Sequence, residues 1–289
     1  LIASAGSIGI IIPPSIPMII YAVSANVSIT QMFIAGIIPG LMIGIGLIVV
    51  AWFSARKRGY TGDERRYTGR EIIATIWDAK WALLVPIIIL GGIYGGVFTP
   101  TEAAAVGVIY GFIIGVFVHR ELSWKDIYRV IAESALTSAT VILIVGTATI
   151  FGRVLTIEQI PVMIAQAMVS LTDSHILILL LINILLLFVG MFMETLAAII
   201  ILTPILLPVV LAVGVDPVHF GIVVIVNLAI GMVTPPVGVN LFVGARIGNT
   251  SLEKASAGAL IFIASMLIIL MLITYVPSLS LAPLSLMGK

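Results

Sequence analysis

The sequence contains no cysteine and only three histidines, at His119, His175 and His219. A disulfide, a thiol nucleophile and a cysteine-ligated metal are therefore excluded, and scattered histidines do not build a zinc site. Charge is nearly as scarce. Asp, Glu, Lys and Arg make up 9% of the 289 residues, and 14 basic against 13 acidic side chains leave a net charge of +1. That balance gives no reason to expect nucleic acid. Apolar residues take up the remainder, 61% of the chain, with a mean hydropathy of +1.28. This lies far outside soluble globular composition and reads as an all-α, polytopic membrane protein, because each bilayer crossing uses roughly 20 apolar residues. The chain opens on Leu1 inside an apolar run, without Met or a charged n-region, and reads as lacking an N-terminal portion.

One stretch must interrupt this apolar background. Gly231-Met-Val-Thr234-Pro235-Pro236-Val-Gly238-Val-Asn240 sets two prolines side by side, and each removes a backbone donor and clashes with the preceding turn. In lipid the freed groups cannot turn to water, so unwound backbone at membrane depth persists only where protein surrounds it or a cavity adjoins it. Freed carbonyls beside Thr234 and Asn240 are hard oxygen ligands, of the kind that hold Na+ in broken-helix transporters. A plain proline kink without a ligand is the alternative. A second copy, Gly9-Ile-Ile-Ile-Pro13-Pro14-Ser15, stands at the start of the chain. Both read Gly-x-x-x-Pro-Pro, continue as an apolar half-helix and end in a polar loop, Ala22 to Ser28 in one and Ala245 to Ser251 in the other. Paired interruptions in corresponding places of two halves point to a transporter's binding site.

Taken in order, residues 1–31 hold the first broken helix, truncated at its start. A span over 32–55 follows, with Pro39-Gly40 as a kink or packing notch. Arg56, Lys57, Arg58, Arg65, Arg66, Arg70 and Lys80 then gather half of the 14 Lys and Arg into one connection, 56–80, which the positive-inside rule makes cytoplasmic. Residues 69–81 mix charge with apolar and Trp positions, and read as an interfacial helix or a solvated loop. Spans over 82–98 and 103–118 flank an outer loop where Thr99, Pro100 and Glu102 form a capping box. The chain is inside again at His119-Arg120, and the segment 32–126 ends there.

Residues 127–255 form the second repeat. A span over 127–152 carries Glu133, Ser134, Thr137, Ser138, Thr140, Thr147 and Thr149, and a short helix over 157–171 follows. After a strongly apolar span at 175–192 comes a re-entrant hairpin at about 190–213, its limbs stopped by Pro204 and Pro208, then the second broken helix over 214–246. Residues 256–289 give the last span and an outer tail. The loop after the first Pro-Pro element has no Lys or Arg, whereas its counterpart has Arg246 and Lys254. One exit therefore lies outside and its twin inside, which is the charge pattern of inverted-topology repeats.

Two charged residues in the second repeat stand out. Glu194 lies near the tip of the hairpin, and an intramembrane carboxylate costs roughly 2.5 kcal/mol or more on insertion scales. It reads as a site residue or as a hairpin cap. Arg153 is the only Lys or Arg between residues 130 and 245, and reads as a snorkelling anchor or as a clamp on an anionic substrate.

At this point the residues resemble a known family. Pro13-Pro14-Ser15, the run Phe98-Thr99-Pro100-Thr101-Glu102, the segment Thr156-Ile-Glu158-Gln159-Ile-Pro161, Phe192-Met193-Glu194 and Thr234-Pro235-Pro236-Val-Gly238-Val-Asn240 together are similar to the large membrane subunit of tripartite ATP-independent periplasmic (TRAP) transporters. The resemblance implies a multi-pass protein of the bacterial or archaeal cytoplasmic (inner) membrane. It further implies Na+-driven uptake of an organic acid, sialic acid or a C4-dicarboxylate, by an elevator motion, with no cofactor beyond the coupling ion. A small membrane subunit and a periplasmic substrate-binding protein are the implied partners. Carried over by position, Gly9, Pro13, Pro14 and Ser15 are expected at one cation site, and Gly231, Thr234, Pro235 and Pro236, facing Thr195 and Glu194, at the other. Glu194, Asn227, Asn240 and Arg153 are the candidates for the substrate. In the family a hairpin rich in Ser and Gly precedes the first Pro-Pro helix, and this chain starts after it.

Two other classes compete. A passive channel or pore would need a filter repeated about an axis along the membrane normal rather than one inverted pair. An intramembrane enzyme would need a nucleophile with a base, or a metal cluster, and the sequence has neither. The N-terminal Gly-x-Ser-Ile-Gly run precedes a proline-broken helix, not the strand-turn-helix of a nucleophile elbow.

Overall fold

The computed structural model describes residues 1–60, 67–160, 163, 164, 166 and 174–286. Arg65 and Arg66 of the basic loop, most of the helix expected over 157–171, and residues 287–289 lie outside the described residues. All regular structure among the described residues is helical. It forms two compact units, residues 1–57 with 144–289, and residues 58–143.

The first unit begins with α1 (Ile2–Gly6) and a 3-10 turn over Ser7–Ile10, then α2 (Ile16–Ala25) and α3 (Ile29–Lys57). After the shared helix α7 (Trp124–Ile157) come α8 (His175–Phe192), α9 (Thr195–Ala212), α10 (Pro217–Gly231), α11 (Val239–Ile247), α12 (Leu252–Tyr275) and α13 (Ser278–Leu286). At its centre stands α10, buried at every position from Val218 to Gly231. Helix α10 touches α2, α3, α8, α9, α12 and α13, which accounts for its burial on every side. Lipid is as apolar as leucine, so close approach and internal hydrogen bonds, not removal from water, select this packing.

Several boundaries follow from local chemistry. Asp216 caps α10, its Oδ1 accepting from the amides of Val218 and His219 at 2.8 and 3.1 Å, with Pro217 at the first helical position. Pro39 does not stop α3. The notch reading holds there: a Cβ at Gly36 would come within 3.0 Å of the Ile11 carbonyl, and one at Gly40 would strike the Ile12 side chain.

The prolines of α9 behave differently from the expectation. Pro204 and Pro208 do not end that limb, because α9 runs unbroken from Thr195 to Ala212. Transmembrane helices tolerate proline where neighbouring elements satisfy the freed groups, and Leu206, Val209 and Val210 are buried around them. Each limb, α8 and α9, is 18 residues long and apolar enough to cross a membrane, so neither is the short limb expected. Helices α3, α7 and α12, and α6 with the turn that prolongs it, meet the same criterion. The tail holds a helix: α13 lies against α3 and α10, with Ser280 buried.

The second unit holds α4 (Gly69–Asp78), α5 (Lys80–Tyr94), α6 (Pro100–Ile113) with a π-helical turn to Val118, and the first part of α7. Capping boxes start α4 and α6: Thr68 pairs with Glu71, and Thr99 with Glu102. Helices α5 and α6 form a hairpin, fastened where the Tyr110 hydroxyl donates to the Trp81 carbonyl at 2.9 Å. Along α7 the hydroxyls of Thr137, Thr140 and Thr149 donate to carbonyls four residues back, which accounts for three of the polar residues of that span without a ligand.

Candidate functional site

Both Pro-Pro pairs lie outside α-helix, Gly231 being the last residue of α10, and both Pro-Pro peptide bonds are cis. At the first break, Pro13 and Pro14 cannot donate to the carbonyls of Gly9 and Ile10. The Ser15 hydroxyl recovers one of these, donating to Ile10 at 2.6 Å, and it also caps α2 by accepting from Met18 at 3.4 Å. Ser15 and Pro13 are buried while Pro14 and Gly9 are exposed. At the second break, Pro235 and Pro236 cannot donate to Gly231 and Met232. The Thr234 amide reaches Gly231 at 3.0 Å and the Asn240 amide reaches Met232 at 2.9 Å, while the Thr234 hydroxyl donates to Ile230 at 2.7 Å. Gly238 then turns the chain into α11 at φ +49, in the left-handed region that glycine favours. Unlike α2, α11 has no side-chain cap.

The two broken helices run in opposite directions. Ala3 of α1 meets Gly244 of α11, and Gly6 meets the Asn240 amide, where a Cβ would sit 3.5 Å from Nδ2. At the other end Tyr21 of α2 donates to the Pro217 carbonyl at 2.7 Å, and its ring stands edge-on to Phe220. Rising residue numbers in one copy thus meet falling numbers in the other, and the limb before one break lies beside the limb after its twin.

The last turn of α8 approaches the second break through bare backbone. A Cβ on Gly231 would stand 2.4 Å from the carbonyl carbon of Gly190, so only glycine permits this contact. A few residues on, Glu194 is exposed and caps α9, its Oε2 accepting from Leu196 and Ala197 at 2.9 and 3.1 Å. Thr195 behind it is buried, and its hydroxyl has no hydrogen-bond partner. The same holds for Thr203 one face further along α9, and for Ser4 of α1. A buried unsatisfied hydroxyl costs about 1–3 kcal/mol, so each asks for a ligand or a reason. Hydroxyl and carbonyl oxygens are the donors that a hard cation takes. No group of three His, Cys, Asp or Glu that could hold a metal occurs among the described residues.

Two expected substrate residues have other surroundings. Asn227 is fully buried in α10, its amide nitrogen donating to Asn183 Oδ1 at 2.6 Å and to the Val223 carbonyl at 2.8 Å. Asn183 of α8 passes the bond on to Thr274 of α12 at 3.1 Å, the Thr274 carbonyl lies 3.3 Å from His219 Nε2, and His219 Nδ1 lies 3.3 Å from the Ser280 hydroxyl of α13. Asn227 thus belongs to a buried polar seam joining four helices, with its own Oδ1 left without a hydrogen-bond partner. Sequence reasoning missed Asn183, Thr274 and Ser280; the signal was Asn183, the one polar side chain after His175 in the apolar run of α8. Arg153 is exposed on α7, beside Gly152, which packs near Pro204 of α9. No hydrogen bond joins it to either break among the described residues.

Comparison with known proteins agrees with this architecture. The family model described as "Tripartite ATP-independent periplasmic transporter, DctM component" matches residues 1–279. The chain is 56% identical over 278 residues to the isethionate TRAP transporter permease protein DctMQ of Oleidesulfovibrio alaskensis, covering 96% of this chain and 44% of that one. It is 42% identical over 282 residues to the C4-dicarboxylate TRAP transporter large permease protein DctM of Pseudomonas aeruginosa, covering 98% and 66%. The sialic acid TRAP transporter large permease protein SiaM of Vibrio cholerae is 42% identical over 281 residues, covering 97% and 66%. The chain therefore spans between 44% and 66% of the length of these relatives. With a family match over almost all of its length and both proline-broken helices in place, the chain belongs to the large permease (DctM component) family of TRAP transporters.

Proposed function

We propose that this chain is the core of the transport subunit of a Na+-coupled symporter of the inner membrane that takes up a small organic anion. The observation that carries this reading is the antiparallel crossing of two broken helices. Such a crossing brings together two unwound, oxygen-rich turns and two half-helix N-termini, which can hold a cation and an anion without buried basic side chains. One cation would sit at the second break, on carbonyls of the turn with Thr195 Oγ1, and Glu194 would hold the α9 N-terminus in place beside it. The other would sit at Gly9, Pro13, Pro14 and Ser15. The substrate would lie near Asn240, beside the uncapped N-terminus of α11, which the sodium ions make more attractive to an anion.

The relatives are named for isethionate, C4-dicarboxylates and sialic acid, so the substrate class includes sulfonates as well as carboxylates. Their names also support the partners: proteins called large permeases imply a smaller companion subunit, and the family name implies a periplasmic protein that delivers the substrate. Movement of the broken-helix unit as an elevator would carry the site across the bilayer.

The test is uptake of labelled isethionate, succinate and sialic acid by the complete transporter in proteoliposomes. Uptake of one of them should require an inward Na+ gradient and the binding protein, and should vanish in Pro235→Ala/Pro236→Ala. Gradient-independent flux at channel rates would replace the symporter with a pore. Thr195→Val separates ligand from scaffold: the two side chains match in shape and the hydroxyl has no protein partner, so melting without Na+ should not fall and should rise if anything, while half-maximal uptake needs several-fold more Na+.

A further inference from the structure

Helix α4 and the first turn of α5 carry a second surface that the transport reading does not use. Around α4, Ile72, Ile73, Ile76 and Trp77 share one face and Arg70, Glu71, Ala74, Thr75 and Asp78 the other. All four apolar side chains are exposed, Ile73 at 69% and Trp77 at 67%. At Ala79 the chain bends by 63° into the apolar helix α5. In that elbow Lys80 lies over two indoles, Nζ 4.3 Å from the Trp77 ring and 5.3 Å from the Trp81 ring.

We propose that the α4–α5 elbow binds an anionic phospholipid, with the phosphate on Lys80 and the acyl chains against Ile72, Ile73, Ile76 and Trp77. Charge and direction select this occupant. If α5 enters the bilayer, the 63° bend turns α4 toward the membrane plane, which puts its apolar face against hydrocarbon and its polar face toward water. Indoles settle at the headgroup level. The lysine is fixed by the two ring faces, and an ammonium has three donors, so donors remain for a phosphate at the same level. A protein partner covering the Ile–Trp face would instead bury Lys80 against a surface that must supply a carboxylate. The connection before α4 is also the most basic of the chain, with Arg56, Lys57 and Arg58, and the leaflet it faces by the positive-inside rule is the anionic one.

The experiment uses the complete transporter in nanodiscs of phosphatidylcholine or of phosphatidylcholine with phosphatidylglycerol, and reads two quantities. Native mass spectrometry reports the phosphatidylglycerol retained per protein; Lys80→Gln should lower it about fivefold, the weight of one basic residue at an anionic surface, and Lys80→Arg should restore it. Acyl-brominated phosphatidylglycerol should quench tryptophan fluorescence more than brominated phosphatidylcholine, and that excess should disappear in Trp77→Phe. Unchanged retention in Lys80→Gln, or no quenching of Trp77 by either lipid, as expected if protein covers the face, would overturn the proposal. So would displacement of the lipid by inorganic phosphate, which would make the elbow a soluble-anion site.

Discussion

The two Pro-Pro breaks share a motif and differ in what surrounds it. Gly9 and Gly231 occupy the same motif position, yet a Cβ on Gly9 would meet nothing within 4 Å, while one on Gly231 would run into the backbone of Gly190. At the first break the close approach is made by the neighbour, with Gly36 and Gly40 of α3 receiving Ile11 and Ile12. At the second it is made by the motif itself. Polar satisfaction differs as well: a side-chain hydroxyl, Ser15, bridges the first break, and backbone amides of Thr234 and Asn240 close most of the second. The prolines therefore dictate only that the helix opens. The neighbouring helices decide how tightly each opening is held, and so which glycine cannot be changed.

Substitutions can break or sharpen that comparison. The largest effect is expected from Gly231→Ala: the obstacle is backbone that cannot rotate away, so overpacking should cost about 3 kcal/mol, with uptake lost and melting of the purified protein lowered. Asn183→Ala comes next. It strips the acceptor from Asn227 and the donor from Thr274 in the seam that holds α10 to α8 and α12, at about 2 kcal/mol for the buried groups left unpaired. Glu194→Ala removes the cap of α9 and should cost about 1 kcal/mol, whereas Glu194→Gln keeps an accepting oxygen and should melt like the parent. If Glu194→Gln nevertheless abolishes uptake, the carboxylate does more than cap. Gly9→Ala should change stability by less than about 0.5 kcal/mol. A melting loss at Gly9 equal to that at Gly231 would erase the distinction between the breaks.

Much of this was legible in the chain because membrane depth leaves few solutions for a proline pair. Pro13-Pro14 and Pro235-Pro236 announced the breaks, the polar exits announced their opposite sense, and Thr99 with Glu102 announced the start of α6. Proline was over-read at Pro204 and Pro208, where tertiary neighbours keep α9 helical; a lone proline is a local signal that packing can override, while two adjacent prolines are not. The seam of Asn183, Asn227, Thr274, His219 and Ser280 was hidden because its members lie on four helices far apart in sequence. Asn227 was noticed as a candidate for the substrate; its amide nitrogen bonds Asn183 and Val223, while its buried Oδ1 has no partner. For Glu194, sequence left open a site role or a cap, and the observed bonds are those of a cap.

The most direct test of the central claim is a high-resolution density map of the complete transporter prepared in Na+ and again in K+. The account predicts a cation-sized peak within coordinating distance of backbone oxygens at both breaks in Na+, with the Thr195 hydroxyl beside the second, and the loss of both peaks in K+. Breaks with no peak in Na+, or peaks indifferent to the exchange, would contradict it.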